Sequence, residues 1–241
     1  MHRILNIAHR GFSSIYPENT MLAFKKAVEA GCDGVECDIH LTRDNVAVIC
    51  HDPKINRTTD GNGYIRSYTY RELRGFDAGI RKGRMFKGQR IPSLDEFLEY
   101  FSGTDMIVNV ELKAESMDYR GIEEMLIERA YRYKLEKHMI ISSFDHCSIK
   151  RCVEEDGRIK TGLLYSGDIR EPERYASSIG AMALHPYFKR IDRRIVKRAH
   201  DRGIIVNAWT VNKLNNMKRM IGLGIDGIIT NCPDTLRSIM E

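Results

Sequence analysis

Ile4-Leu5-Asn6-Ile7-Ala8-His9-Arg10-Gly11 and Gly34-Val35-Glu36-Cys37-Asp38-Ile39-His40 are two short apolar runs that each carry residues able to do chemistry. Between them, Asn19 to Ala30 sets Leu22, Ala23, Phe24, Ala27 and Val28 at helical spacing and stops at Gly31. Strand, helix, strand is the unit from which parallel sheets are built. Arg43-Asp44-Asn45 then makes a tight turn, with Asn45 able to take a positive φ, into a returning strand from Val46 to Cys50.

The alternation repeats down the chain. Strand candidates fall at Ile107 to Leu112, Met139 to Ser142, Thr161 to Leu164, Ala181 to Leu184, Ile204 to Ala208 and Gly227 to Ile229, separated by helical patterns. With the runs at Ile4 and Gly34 they make eight parallel units in 241 residues, which predicts an α/β chain folded as a (β/α)₈ TIM barrel. A doubly wound open sheet is the alternative, but no Gly-x-Gly-x-x-Gly follows the first strand. After His51-Asp52 the pattern lapses for about forty residues, so residues 52–91 are expected to form a small inserted lobe within a single domain spanning 1–241. Ser93, with Glu96 three residues on, reads as a capping box that opens a helix to Phe101.

Composition narrows the partners. The charge of +5, with 33 acidic residues interspersed among 38 basic ones, offers no nucleic-acid track and favours anionic small molecules. No apolar run approaches a membrane span, so no stable membrane insertion is expected. The first apolar run is closed by His9 and Arg10 too soon for a signal peptide. Six cysteines form no Cys-x-x-Cys pair, which fits free thiols in a reducing cytoplasm. The sequence leaves a homo-oligomer open.

A barrel concentrates reactive groups at the C-terminal ends of its strands. His9 and Arg10 end the first strand, Glu36 and Asp38 lie toward the end of the second, and Glu111-Leu112-Lys113 closes the strand from Ile107. Residues two apart on a strand project to one side, so Glu36 and Asp38 can share a cation while Glu111 and Lys113 face the same mouth. A buried salt-bridge network is the competing reading, weakened because three strand ends contribute at once. His9 and His51 suit acid/base work near neutral pH, and Arg10 suits a phosphodiester anion. His40 is either a third pocket residue or a cap on the hairpin. His185, just past the strand ending at Leu184, and Trp209, which ends the strand from Ile204, are candidates to contact substrate. In the lobe, Arg81, Lys82, Arg84, Lys87 and Arg90 could attract an anion or coat a surface.

In order and spacing, His9-Arg10-Gly11, Pro17-Glu18-Asn19-Thr20, Glu36-x-Asp38, Thr42-x-Asp44, His51-Asp52 and Arg57-Thr58-Thr59 resemble the glycerophosphodiester phosphodiesterase family of the PLC-like phosphodiesterases. Ile91-Pro92-Ser93-Leu94, Val110-Glu111-Leu112-Lys113, Ser143-Phe144-Asp145, Trp209-Thr210-Val211-Asn212 and Gly227-Ile228-Ile229-Thr230 extend the match to Asp234. The resemblance implies a barrel with an insertion, one divalent cation, Mg²⁺ or Ca²⁺, and hydrolysis of a small glycerophosphodiester to sn-glycerol 3-phosphate and an alcohol. By position it implies Glu36, Asp38 and Glu111 as metal ligands, His9 and His51 as the acid/base pair, and Arg10 and Lys113 as phosphate grips. It also implies attack by the substrate's own glycerol hydroxyl, through a cyclic phosphate that water then opens. Asn231 stands where the family commonly has Asp. A lysophospholipase D-type lipid enzyme, a Schiff-base enzyme using Lys113 and a non-catalytic phosphate-binding barrel are the alternatives. The first would need an apolar membrane-facing rim, and the insertion shows no long apolar face.

Overall fold

The structure, a computed structural model, describes residues 3–113 and 119–240. Strand β1 (Leu5–His9) leads to helix α1 (Met21–Glu29), strand β2 (Gly34–Leu41) and the short strand β3 (Ala47–Ile49). Helix α2 (Tyr70–Leu73) lies in the lobe that follows. The alternation then resumes with α3 (Leu94–Phe101), β4 (Ile107–Leu112), α4 (Ile122–Arg132), β5 (Met139–Ser143), α5 (His146–Glu155) and β6 (Lys160–Tyr165). It ends with α6 (Pro172–Ser178), β7 (Ala183–Pro186), α7 (Arg193–His200), β8 (Ile205–Ala208), α8 (Leu214–Leu223), β9 (Gly227–Thr230) and α9 (Pro233–Met240).

Eight strands run parallel, and β1 pairs with both β2 and β9, which closes the sheet into a (β/α)₈ barrel. β3 stands outside the ring, antiparallel to β2 with Ile39 opposite Ile49. The turn between them holds Asn45 at φ +58°, as the sequence predicts.

Alternation along β2 separates two environments. Val35, Cys37 and Ile39 pack outward in one core cluster with Phe24 of α1 and Phe97 of α3, whose rings meet edge-on at 4.6 Å. Glu36, Asp38 and His40 therefore take the opposite face. A second cluster covers the other half of the ring through Leu163, Leu184, Val206 and Ile228 against α6 to α9. A third cluster joins Val48 of β3 to Ile55, Ile65, Leu73 and Ile91 of the segment after it.

Local signals move some boundaries. Helix α1 starts at Met21 rather than Asn19, because Thr20 caps it by accepting from Ala23 N and Asn19 sits at φ +57°. At α3 only half of the expected capping box forms. Ser93 accepts from Glu96 N, but Ser93 N donates to the Tyr70 hydroxyl, and the Glu96 carboxylate turns to Arg74. β7 begins at Ala183 and runs through Pro186, two residues later than expected, so His185 lies within the strand and not past its end.

Candidate active site

Strand register brings the carboxylates together: His9 lies opposite Glu36, and Asp38 opposite Glu111. Oxygens of Glu36, Asp38 and Glu111 lie within 4.8 Å of one another, all buried. Asp38 accepts from Asn19 Nδ2 at 2.9 Å and has Arg10 Nε at 3.4 Å and Lys113 Nζ at 3.6 Å. Lys113 Nζ donates to Glu111 at 2.6 Å. Burial would raise the Asp38 carboxyl, but Arg10, Lys113 and His51 outweigh it and hold it well below the usual range. Glu36 goes the other way, pushed up by burial and by the neighbouring Asp38 and Glu111.

The donor set fits a hard divalent cation. Glu36 Oε1 and Asp38 Oδ1 are buried and accept no hydrogen bond among the described residues, although a buried carboxylate oxygen ordinarily has a partner. Two cations, Arg10 and Lys113, balance only part of the negative charge on three carboxylates.

Arg10 owes its place to a turn. It sits at φ +55° just before Gly11 at +77°, and its backbone N–H donates to the Glu36 carbonyl and carboxylate at 2.9 and 3.0 Å. A Cβ at Gly11 would meet the backbone of Ala23 at 2.6 Å, so only glycine lets α1 approach this closely.

The two histidines are held differently. His9 Nδ1 donates to Asn231 Oδ1 at 2.6 Å, which directs Nε2 toward Glu36, 3.9 Å away. Burial, reinforced by Arg10, lowers His9 to about 4. His51 Nδ1 donates to Asp52 at 2.7 Å, and burial lowers His51 as well. Asp52 is fixed in turn by Arg57 Nε at 2.7 Å, while the Arg57 guanidinium pairs at both ends with Glu18, at 2.7 and 2.8 Å. Glu18 also accepts from Arg10 Nη1 at 2.9 Å. One ionic chain thus runs from Arg10 through Glu18, Arg57 and Asp52 to His51.

His40 does not line the cleft. Its Nε2 donates to the His51 carbonyl at 3.1 Å, so Nδ1 must accept from the Tyr119 hydroxyl at 2.9 Å, and burial keeps the ring neutral with a pKa of about 4. It anchors the end of the hairpin from which His51 projects.

A cleft gathers His9, Arg10, Glu36, His51, Glu111 and Lys113 at one mouth of the barrel. Phe144 and Trp209 form its apolar wall, their rings perpendicular at 5.4 Å. His185 departs from the expectation of substrate contact. Inside β7 its side chain points into the barrel, fully buried, where Asn207 Nδ2 lies 3.1 Å from Nε2 and burial lowers it to about 3. Only its carbonyl serves the wall, accepting from Trp209 Nε1 at 2.7 Å. Sequence reasoning quoted Glu18, Asn19, Asp52 and Arg57 within motifs without giving them work. Only Asp52 carries a local signal, its place next to His51; Glu18, Asn19 and Arg57 meet their partners only in the fold.

A polar mouth with two imidazoles, two cations and a three-carboxylate pocket suits an anionic ester and a hard cation, which is the chemistry of a phosphoric diester hydrolase on a barrel. The profile of the glycerophosphoryl diester phosphodiesterase family matches residues 9–235. A glycerophosphodiester phosphodiesterase of Caldanaerobacter subterraneus subsp. tengcongensis is 42% identical over 239 residues, 99% of this chain and 98% of that protein. An Oleispira antarctica phosphodiesterase, solved with the product sn-glycerol-3-phosphate, superposes with a TM-score of 0.85 at 30% identity, over 96% of this chain and 94% of that one. The Thermotoga maritima glycerophosphodiester phosphodiesterase gives 0.81 at 28% identity, covering 99% of this chain and 100% of that one. The chain belongs to the glycerophosphoryl diester phosphodiesterase family and is an enzyme of that class.

Proposed function

We propose that the chain, a single unit over 1–241 with residues 52–91 as its inserted lobe, cleaves small glycerophosphodiesters to sn-glycerol 3-phosphate and an alcohol, using a divalent cation and the His9/His51 pair. The observation that carries this reading is the meeting of both histidines, Arg10 and Lys113 with the Glu36, Asp38, Glu111 trio at one strand-end mouth. The Oleispira relative with its bound product supplies the substrate class. Glu36, Asp38 and Glu111 would hold the cation, which when bound neutralises phosphoryl charge and acidifies a hydroxyl beside it. Either Mg²⁺ or Ca²⁺ suits three carboxylates.

Arg10 and Lys113, the two cations of the mouth, would bind the diester oxygens. A neutral histidine with Nδ1 committed to Asn231 or Asp52 offers the Nε2 lone pair, which is what a general base needs. One histidine removes the proton from the glycerol hydroxyl, whose oxygen bonds to phosphorus as the phosphorus–alkoxide bond breaks. The other histidine gives the departing alcohol its proton. Water then opens the cyclic ester with the two roles reversed. Trp209 and Phe144 pack against the glycerol carbons.

A cytoplasmic setting belongs to the same reading, supported by six free thiols, four of them buried. Among the described residues no helix is long and apolar enough to cross a membrane.

The test is release of glycerol 3-phosphate from a panel of glycerophosphodiesters, with EDTA and then Mg²⁺, Ca²⁺ or Mn²⁺ added back. Turnover lost to EDTA and restored by a cation is expected. Full turnover in EDTA removes the cation from the reading, and no turnover on any diester removes the substrate class.

A further inference from the structure

The lobe carries a surface that the catalytic reading does not use. Met85, on a single turn from Arg84 to Phe86, is 86% exposed. Ile15, 49% exposed, lies on the loop after β1, seventy positions away in sequence. The two loops are stitched together. Lys82 Nζ donates to the carbonyls of Ser13 and Ser14 at 2.8 and 3.0 Å, and the Tyr16 and Phe86 rings meet edge-on at 5.8 Å.

The tip is held out by its own bonding. Asp77 accepts from Gly79 N and Ile80 N on one carboxylate oxygen and from Gly88 N on the other, at 2.8, 3.0 and 2.6 Å, which clamps both ends of the loop. Met85 and Ile15 are therefore two exposed apolar side chains on loops that the fold ties together. From Ala78 to Leu94 the chain has five basic residues and no acid, so Met85 stands among Arg81, Lys82, Arg84 and Lys87. An apolar tip flanked in the chain by Arg84 and Lys87 matches a surface that is negative outside and apolar just beneath.

We propose that this face docks reversibly on anionic lipid bilayers, with Met85 and Ile15 entering the interface and Arg84 and Lys87 meeting lipid phosphates. The charge pattern selects this occupant over a second copy of the chain, because two such faces would set like charge against like. Docking leaves the enzyme peripheral, with no spanning segment. It also sets the mouth near the bilayer, since Arg81 and Lys82 line a cleft with Arg57 and Glu18, and Arg57 leads through Asp52 to His51.

The experiment is co-sedimentation of the full chain with vesicles of phosphatidylglycerol and phosphatidylcholine, against phosphatidylcholine alone. Binding is expected to the anionic vesicles only, and to be lost as salt rises. At about fivefold per charge, the double variant R84Q/K87Q should bind about 25-fold more weakly. Met85→Asn should lose about fivefold or more through its apolar contact alone. Both variants should keep wild-type hydrolysis of a soluble diester, which shows that they fold and separates this proposal from the catalytic one. No binding to anionic vesicles, equal binding to neutral ones, or wild-type binding by both variants overturns it. So does light scattering that shows a dimer dissolved by Met85→Asn, since the face would then belong to a second copy.

Discussion

Glu36→Gln separates what the carboxylate trio does for the fold from what it does for a cation. Two carboxylates no more than 4.8 Å apart repel by roughly 3 kcal/mol or more at an effective dielectric near 20. Arg10 and Lys113 offset most of that, leaving a net relief on the order of 1 kcal/mol when one charge is removed. Glutamine keeps the oxygen that accepts from Arg10 N, so the turn is preserved. In a protein of this size 1 kcal/mol moves the melting temperature by about 2–4 °C, so metal-free Glu36→Gln should melt as high as wild type or that much higher. With Mg²⁺ or Ca²⁺ at a hundred times its dissociation constant, wild type should gain about 2.7 kcal/mol, or roughly 5–10 °C, and the variant almost nothing. The pH dependence has a sign. The folded Glu36 pKa is raised, so the metal-free fold binds more protons than the unfolded chain, and this residue's contribution falls as pH rises from about 4.5 toward the folded value. That slope should be absent in the variant. The assay is a melting series by calorimetry in EDTA and in added cation, at pH 5 to 8. A variant that gains the same stability from cation as wild type, or that melts several degrees lower without it, would refute the reasoning.

Other perturbations probe the rest of the site. His9→Ala or His51→Ala should cut turnover by about 10²-fold or more with the melting temperature little changed, and wild-type turnover in either would remove that ring from the chemistry. Arg57→Gln should cost about tenfold in kcat, because Asp52 loses the guanidinium that aims it at His51. Its effect on stability should stay near 1 kcal/mol, since Arg57 is half exposed; an unchanged kcat counts against the ionic chain. Gly162→Ala would bring a Cβ to 2.8 Å from the His185 ring, so denaturant unfolding should show a loss of about 1–3 kcal/mol, and an unchanged midpoint would mean the barrel interior has room.

What the sequence could show depended on whether a signal was local. Glu36 and Asp38 were legible because two residues on one strand must share a face, and that face had to be the barrel mouth once eight units were counted. His185 was misplaced because a strand ending at Leu184 or at Pro186 looks alike in a short apolar run, and two residues decide whether a ring reaches the mouth or the interior. The ionic chain through Glu18 and Arg57 was illegible as a chain, since it joins loops 39 residues apart. The exposed apolar tip was invisible for the same reason. Ile15 and Met85 lie on loops 70 positions apart that meet only in the fold, where Lys82 ties them together.

Asn231, noted in the sequence only as a departure from a family habit, links the two ends of the chain. His9, on the first strand, takes its ring orientation from a residue 222 positions later, just after the last strand. The orientation of the His9 ring is therefore finished by the same event that closes the barrel, the docking of β9 beside β1. A nascent chain or a fragment lacking that last segment could hold the carboxylate trio and His51 with His9 still unaimed. Turnover should consequently appear late and all at once during refolding, which makes activity itself a reporter of ring closure.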